Sequence, residues 1–296
     1  MSLKMLTPGF LLLASLFPSV ASAAGRAECS SVPSAILGRS VSYCALLPPS
    51  YDQNKTRHYP VLYFLHGLGQ DERALIDSGG WALVEDLQKR GAIGEFLIVT
   101  PAAGTSFYIN SRDGRQRYED FFLRELIPAI DRRYRTDASP AFRGISGVSM
   151  GGYGALRFAF KYPHLFNAVS AHSAALVEQP PAALRQGPRL GFLEEAFGSP
   201  PDSAYWVKMN PFTLVRESKS LGSLKVYFDC GTADDFGFDQ GNRALSKLLA
   251  SRGVHHEFHM YPGGHGWRYI AQHLPASLEF HSRAFALKEK RSSTSE

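Results

Sequence analysis

The chain has 296 residues, of which 44% are hydrophobic and 20% are charged, and its formal net charge is +5. These values match an ordinary soluble globular protein whose single domain can bury one large core. Its 32 basic and 27 acidic residues are interspersed, which excludes a nucleic-acid-binding stripe, so we expect no nucleic-acid partner.

The first 23 residues predict a secretory signal peptide. Lys4 precedes an apolar run, and the small residues Ala21-Ser22-Ala23 close the segment. The run is too short to cross a bilayer, and no later segment looks transmembrane, so we expect no membrane partner. The mature chain is expected to be secreted or periplasmic, and its oligomeric state is left open.

Export would place the three cysteines in an oxidising compartment, where disulfides form. An oxidising compartment permits Cys29 and Cys44, close together near the N-terminus, to form a disulfide. Closing a loop of this length contributes about 3 kcal/mol in the chain-entropy model. We therefore predict the Cys29–Cys44 bridge and leave Cys230 as the odd thiol.

Short apolar runs alternate with helical patterns from residue 42 onward. The predicted strands are residues 42–47, 61–65, 96–100, 144–148, 168–171, 224–229 and 257–261. The predicted helices are residues 81–90, 118–134, 152–162, 242–252 and 269–287. This alternation predicts an α/β fold, with a mostly parallel sheet covered by helices on both faces. One domain is expected over residues 24–287, followed by a flexible tail at 288–296.

A long proline-rich segment interrupts the alternation at about residues 173–215. It is longer than an ordinary connection and carries apolar residues, including Phe192, Phe197, Tyr205 and Trp206. We interpret it as a partial lid, and a simple surface excursion is the alternative.

The string Gly147-Val148-Ser149-Met150-Gly151 follows a predicted strand and precedes a predicted helix. At such a sharp turn a serine is held in a strained conformation with its hydroxyl clear of the sheet, which is the nucleophile elbow of α/β-hydrolases. A serine hydroxyl also needs a base, usually a histidine oriented by a carboxylate. Ser149 is the candidate nucleophile.

The expected chain order is serine, acid, histidine. His265 lies between turn glycines directly after the last predicted strand, and it is the candidate base. The acid should lie in the loop after residues 224–229, where Asp234 is the first choice and Asp235 and Asp229 are the alternatives.

The segment His66-Gly67-Leu68-Gly69 ends another predicted strand. A loop at this place supplies a backbone N–H to the oxyanion hole of α/β-hydrolases, so we assign Leu68 and Met150 N–H to that role. Tyr108 and Trp267 lie beside the motif loops and are candidate substrate contacts.

The remaining histidines give weaker predictions. His66 is expected to be a structural hydrogen-bonding residue, and His172 ends a strand where it either lines the pocket or packs. The cluster His255, His256 and His259 has no convincing further ligands, so no metal site is predicted.

Several segments of the chain together resemble the motifs of a known family. They are LHGLG at 65–69, FYINS at 107–111, EDFF at 119–122, GVSMGG at 147–152, DCGT at 229–232 and GH at 264–265. Over roughly residues 40–285 the chain resembles the putative-esterase family, which groups esterase D (S-formylglutathione hydrolase), feruloyl and acetylxylan esterases, and mycolyltransferases. The resemblance implies an α/β-hydrolase fold, a triad of Ser149, Asp234 and His265, and no cofactor.

Export favours an ester substrate outside the cytoplasm, either a small molecule or a side group of a polysaccharide. The expected activity is therefore a serine carboxylesterase for short-chain or aromatic esters. The alternatives are a thioesterase similar to S-formylglutathione hydrolase, an acyltransferase, and a non-catalytic secreted binding protein on a hydrolase scaffold.

Overall fold

The computed structural model describes residues 25–180, 191–219 and 221–292, with side chains to residue 286. The predicted signal peptide lies outside the described residues, as do residues 293–296 of the predicted tail. Among the described helices, none is long and apolar enough to cross a membrane.

The described strands form one eight-stranded sheet in the order β1-β2-β4-β3-β5-β6-β7-β8. The strands are β1 Arg26–Ser34, β2 Arg39–Leu47, β3 Val61–Leu65, β4 Leu97–Pro101, β5 Arg143–Val148, β6 Ala168–His172, β7 Lys225–Gly231 and β8 Glu257–Tyr261. Strands β3 to β8 are parallel, whereas β1 and β2 are antiparallel to their neighbours. The parallel strands therefore end at one edge, where the loops that follow them meet.

Helices cover both faces of the sheet, as the sequence predicts. They are α1 Ala74–Asp77, α2 Gly80–Lys89, α3 Tyr118–Phe121, α4 Ile127–Arg133, α5 Met150–Lys161, α6 Gly191–Phe197, α7 Ser203–Met209, α8 Pro211–Glu217, α9 Phe238–Ser251 and α10 Trp267–Ser292. A π-helical turn, Phe122–Leu126, joins α3 to α4. One buried cluster joins α2 and α10 to the sheet, and a larger cluster includes α5 and α9.

The structure differs from the predicted elements chiefly at three places. Strand β1 was not predicted, and it pairs with β2 at the antiparallel edge of the sheet. The last helix was expected to end at residue 287, yet α10 extends to Ser292, into the predicted tail. The described part of the predicted lid forms the short helices α6, α7 and α8, and residues 181–190 lie outside the described residues.

The structure contains the predicted disulfide between Cys29 and Cys44. The two residues are direct partners in the β1–β2 register, so the bridge joins the edge strand to the sheet. Cys230 is buried and unbridged. Burial and the nearby charge of Asp234 raise the pKa of its thiol.

Candidate active site

Ser149 lies at the sharp turn between β5 and α5. Its backbone has φ 54° and ψ −116°, a strained conformation for a residue other than glycine. A Cβ on Gly147 would come within 2.3 Å of Gly151, and a Cβ on Gly151 within 2.0 Å of the Leu65 carbonyl oxygen. Both glycines are therefore required by close packing. The turn presents the Ser149 hydroxyl beyond the end of the sheet.

His265 and Asp234 complete a hydrogen-bonded chain with Ser149, and we name these three residues the open triad. Nε2 of His265 lies 2.9 Å from Oγ of Ser149. Nδ1 of the same ring lies 2.7 Å from Oδ2 of Asp234. The structure thus brings together the three side chains predicted from the sequence.

The Asp234 carboxylate is held in place by the loop that bears it. Its Oδ1 accepts backbone N–H hydrogen bonds from Phe236 at 3.0 Å and Phe238 at 3.3 Å. Burial raises the pKa of Asp234, but the hydrogen bond and charge of His265 and these two N–H groups outweigh it, so the pKa is lowered. The group is thereby kept as a carboxylate that can orient the imidazole.

The two alternative acids occupy other positions. Oδ2 of Asp235 accepts the backbone N–H of His265 at 3.0 Å, so this carboxylate fixes the loop rather than the ring. Asp229 is fully buried within β7, and its Oδ1 accepts the hydroxyl of Tyr269 at 2.8 Å. Of the three candidates, Asp234 alone contacts the His265 ring.

Asp229 belongs to a second group of three side chains, together with His172 and Ser277. We name this group the sealed triad. Nδ1 of His172 lies 2.8 Å from Oδ2 of Asp229, and its Nε2 lies 2.7 Å from Oγ of Ser277. All three residues are at most 1% exposed. Of the two positions left open for His172, the structure therefore shows the packed one.

The loop after β3 closes another side of the site. The Gly67 N–H donates to Oε1 of Gln70 at 2.9 Å, which orders the loop that carries Leu68. Met150 is the first residue of α5, where a backbone N–H has no acceptor within the helix. Leu68 and Met150 both line the cavity at Ser149, as their assigned role requires.

His66 has the structural role expected for it. Its Nε2 accepts the N–H of Ala103 at 3.0 Å, so Nδ1 carries the proton and donates to the Gly67 carbonyl at 2.8 Å. Burial lowers the pKa of His66, which keeps the ring neutral. The residue therefore holds the loop and takes no part in the open triad.

A cavity of about 440 Å³ opens beside the Ser149 hydroxyl. Most of its lining is apolar: Phe64, Leu68, Leu75, Phe107, Val148, Met150, Val177, Phe192, Leu193, Trp206, Phe236, Phe238, Trp267 and Ile270. Val177, Phe192 and Trp206 come from the segment predicted as a lid. That segment therefore forms part of the cavity wall.

One predicted substrate contact lies in the cavity and the other does not. Trp267 lines it, whereas Tyr108 is fully buried and its hydroxyl donates to the His66 carbonyl at 2.9 Å. The prediction for Tyr108 is wrong because its ring packs beneath the loop, and the adjacent Phe107 lines the cavity. Sequence reasoning also missed Gln70.

A buried ion pair holds α5, the helix that follows Ser149. Nη2 of Arg157 on α5 donates to Oε2 of Glu119 at 2.7 Å, and Lys161 and Tyr162 donate to Oε1 at 2.5 Å each. Burial raises the pKa of Glu119, but these partners outweigh it and lower the pKa. Glu119 thereby fixes α5, whose first turn follows Ser149.

A model of the family described as putative esterase matches residues 34–281. The chain belongs to the putative-esterase family. Its described residues contain no group of three or more His, Cys, Asp or Glu side chains arranged to hold a metal ion.

Two curated relatives illustrate the range of matches. An esterase of Mycobacterium tuberculosis is 30% identical over 249 residues, which cover 75% of this chain and 52% of the relative. The chain therefore spans about half the length of that relative. An acetyl esterase of Caldicellulosiruptor saccharolyticus is 28% identical, and the match covers 84% of this chain and 96% of the relative.

Solved structures give the same fold. A ferulic acid esterase superposes with a TM-score of 0.78 at 29% identity, covering 88% of this chain and 99% of the other. An S-formylglutathione hydrolase from Agrobacterium tumefaciens gives a TM-score of 0.72 at 19% identity, covering 88% and 96%. The fold is the α/β-hydrolase fold expected from the sequence.

Proposed function

We propose that this protein is a secreted serine carboxylesterase that hydrolyses short-chain or aromatic esters, of the acetyl or feruloyl type, through an acyl-enzyme. The observation that carries the proposal is the open triad, whose serine hydroxyl faces an apolar cavity of about 440 Å³. Relatives named as acetyl and ferulic acid esterases support the choice of ester.

In the first half of the reaction, Nε2 of His265 accepts the proton of the Ser149 hydroxyl, and Oγ attacks the ester carbonyl carbon. The carbonyl oxygen becomes an oxyanion, which the N–H groups of Leu68 and Met150 stabilise. The imidazolium then donates its proton to the leaving alcohol. Asp234 keeps the imidazole oriented and favours its charged form.

In the second half, His265 accepts a proton from water, which attacks the acyl carbon. The bond between the acyl group and Oγ breaks, Ser149 regains its proton, and the acid leaves. The apolar walls of the cavity bind the uncharged substrate and exclude bulk water, which strengthens the hydrogen bonds to the oxyanion.

Export is part of the proposal. The Cys29–Cys44 bridge supports it, because disulfides form and persist in oxidising compartments. The predicted signal peptide agrees with the same compartment. Mass spectrometry of the protein secreted by its host should find an N-terminus at residue 24; a cytoplasmic, uncleaved chain would contradict this part.

The activity is tested by steady-state hydrolysis of p-nitrophenyl acetate. Ser149→Ala should lower kcat by about 10⁶-fold, because loss of the nucleophile in a comparable triad has that effect. Full turnover in the variant would overturn the proposal. Adding an alcohol to the assay separates hydrolysis from acyl transfer, since a transferase would divert the acyl group to the alcohol.

A further inference from the structure

The exposed apolar side chains of the described residues are concentrated at one place. The large ones are Leu68 at 37%, Phe192 at 39%, Val207 at 37% and Phe236 at 68% exposed. Leu68, Phe192 and Phe236 all line the cavity at Ser149, whereas Val207 does not. Apolar side chains that remain in water around a cavity mark a surface that is covered on binding.

Phe236 is the most exposed of these residues, and it lies beside the catalytic base. Its ring stacks on Phe238 with centroids 5.6 Å apart, and its centroid lies 4.7 Å from that of the His265 ring. Its backbone N–H donates to Asp234 at 3.0 Å, and most of its ring is left exposed to solvent. The Phe236 side chain is therefore available for a ligand.

The direction of proton transfer determines which part of the ester lies next to the His265 ring. The leaving oxygen must receive its proton from Nε2 of His265, so the alcohol group departs on the imidazole side of the acyl carbon. Phe236 and Phe238 both pack their rings against that imidazole. The alcohol portion of the substrate thus meets two phenylalanine rings, which offer apolar contact and no side-chain hydrogen bond.

We propose that Phe236, with Phe238 behind it, forms a subsite for the leaving alcohol, and that this subsite selects esters of apolar, uncharged alcohols such as arylalkyl alcohols. The inference rests on the esterase activity proposed above. It assigns the rings of Phe236 and Phe238 to the alcohol portion of the ester. Phe236 is then a specificity residue that touches the substrate.

The test uses two esters that carry one phenyl ring on opposite sides of the ester bond, 2-phenylethyl acetate and ethyl 3-phenylpropanoate. Phe236→Ala should lower kcat/KM for 2-phenylethyl acetate by about tenfold, the scale of one lost aromatic contact. The value for ethyl 3-phenylpropanoate should stay within about twofold, a change below the size of such a contact. Phe236→Tyr should restore most of the loss because its ring has the same faces.

Val207→Ala is the matched control, because it also truncates an exposed apolar residue, and it should leave both esters unchanged. An equal loss on both esters in Phe236→Ala would overturn the inference and make Phe236 a packing residue of His265. A larger loss on the phenylpropanoate would place the subsite on the acyl side and also overturn it. If the wild-type protein hydrolysed neither these esters nor p-nitrophenyl acetate, the proposed function itself would fail.

Discussion

The open triad and the sealed triad contain the same three kinds of side chain, yet their surroundings differ. In the open triad the serine follows a strand at a strained turn, beside a cavity and at the start of a helix. In the sealed triad the serine lies inside α10, where regular helical bonds use the backbone N–H groups. Chemistry on an ester needs access, an activated hydroxyl and free N–H donors, and only the open triad has them.

The two serine hydroxyls also differ in their hydrogen-bonding partners. The Ser277 hydroxyl donates to the Leu274 carbonyl at 3.0 Å, one turn earlier in α10. Nε2 of His172 lies 2.7 Å from Ser277 Oγ, so the single hydroxyl proton of Ser277 has two neighbouring acceptors, and neither side chain is accessible to a substrate. The sealed triad therefore joins α10 to β6 and β7, and it serves the structure.

The largest expected effect, and so the strongest test of the difference between the two triads, comes from a substitution in the open triad. Asp234→Asn should lower kcat by about 10⁴-fold, because an amide in this position favours the wrong imidazole tautomer. The measurement is steady-state hydrolysis of p-nitrophenyl acetate. Asp235→Asn is the control at the neighbouring residue and should lose less than about tenfold, since Asp235 contacts only the backbone N–H of His265. A greater loss in Asp235→Asn would reassign the acid.

The sealed triad should affect stability and leave the chemistry intact. Ser277→Ala leaves Nε2 of the buried His172 without its partner, which should lower the free energy of unfolding by about 1–3 kcal/mol. Urea unfolding measures this change, and kcat should remain within about twofold of wild type, below the effect of one lost hydrogen bond. A large loss of kcat with unchanged stability would show that the two triads do not have separate roles.

The smallest expected effect concerns pH and the carboxylate of the open triad. The folded state lowers the pKa of Asp234, so this residue contributes stability above its unfolded pKa of about 4 and loses that contribution as pH falls through the folded value. The free energy of unfolding should therefore decrease on acidification. In Asp234→Asn the decrease should be smaller, as urea unfolding from pH 7 to pH 3 would show; an identical decrease would contradict it.

Much of the open triad could be predicted from local signals. The glycines around Ser149 and His265 mark turns directly after apolar strands, and parallel strands place such turns at one edge. The disulfide and most of the parallel strands of the sheet could likewise be predicted from the composition and the hydrophobic pattern of the sequence. The sequence favoured Asp234 but left Asp235 open, since neighbouring carboxylates in one loop have the same local pattern, and the structure shows that Asp234 contacts the ring.

Other features depend on contacts that no local pattern reveals. Strand β1 is mostly polar and contains Pro33, and it is a strand because β2 offers it a partner at the sheet edge. Tyr108 and Phe107 both have positive φ, 58° and 50°, so the chain turns there and only one ring faces the cavity. The link between Ser277 and His172 spans 105 residues and exists only after the sheet and α10 have packed.

A fluorophosphonate probe tests directly whether Ser149 is the nucleophile of this chain. Incubation of the wild-type protein, followed by intact-mass measurement and peptide mapping, should show a single adduct on Ser149, loss of esterase activity in proportion to labelling, and no adduct in Ser149→Ala. Labelling of another serine, or undiminished ester hydrolysis after complete labelling of Ser149, would contradict the account.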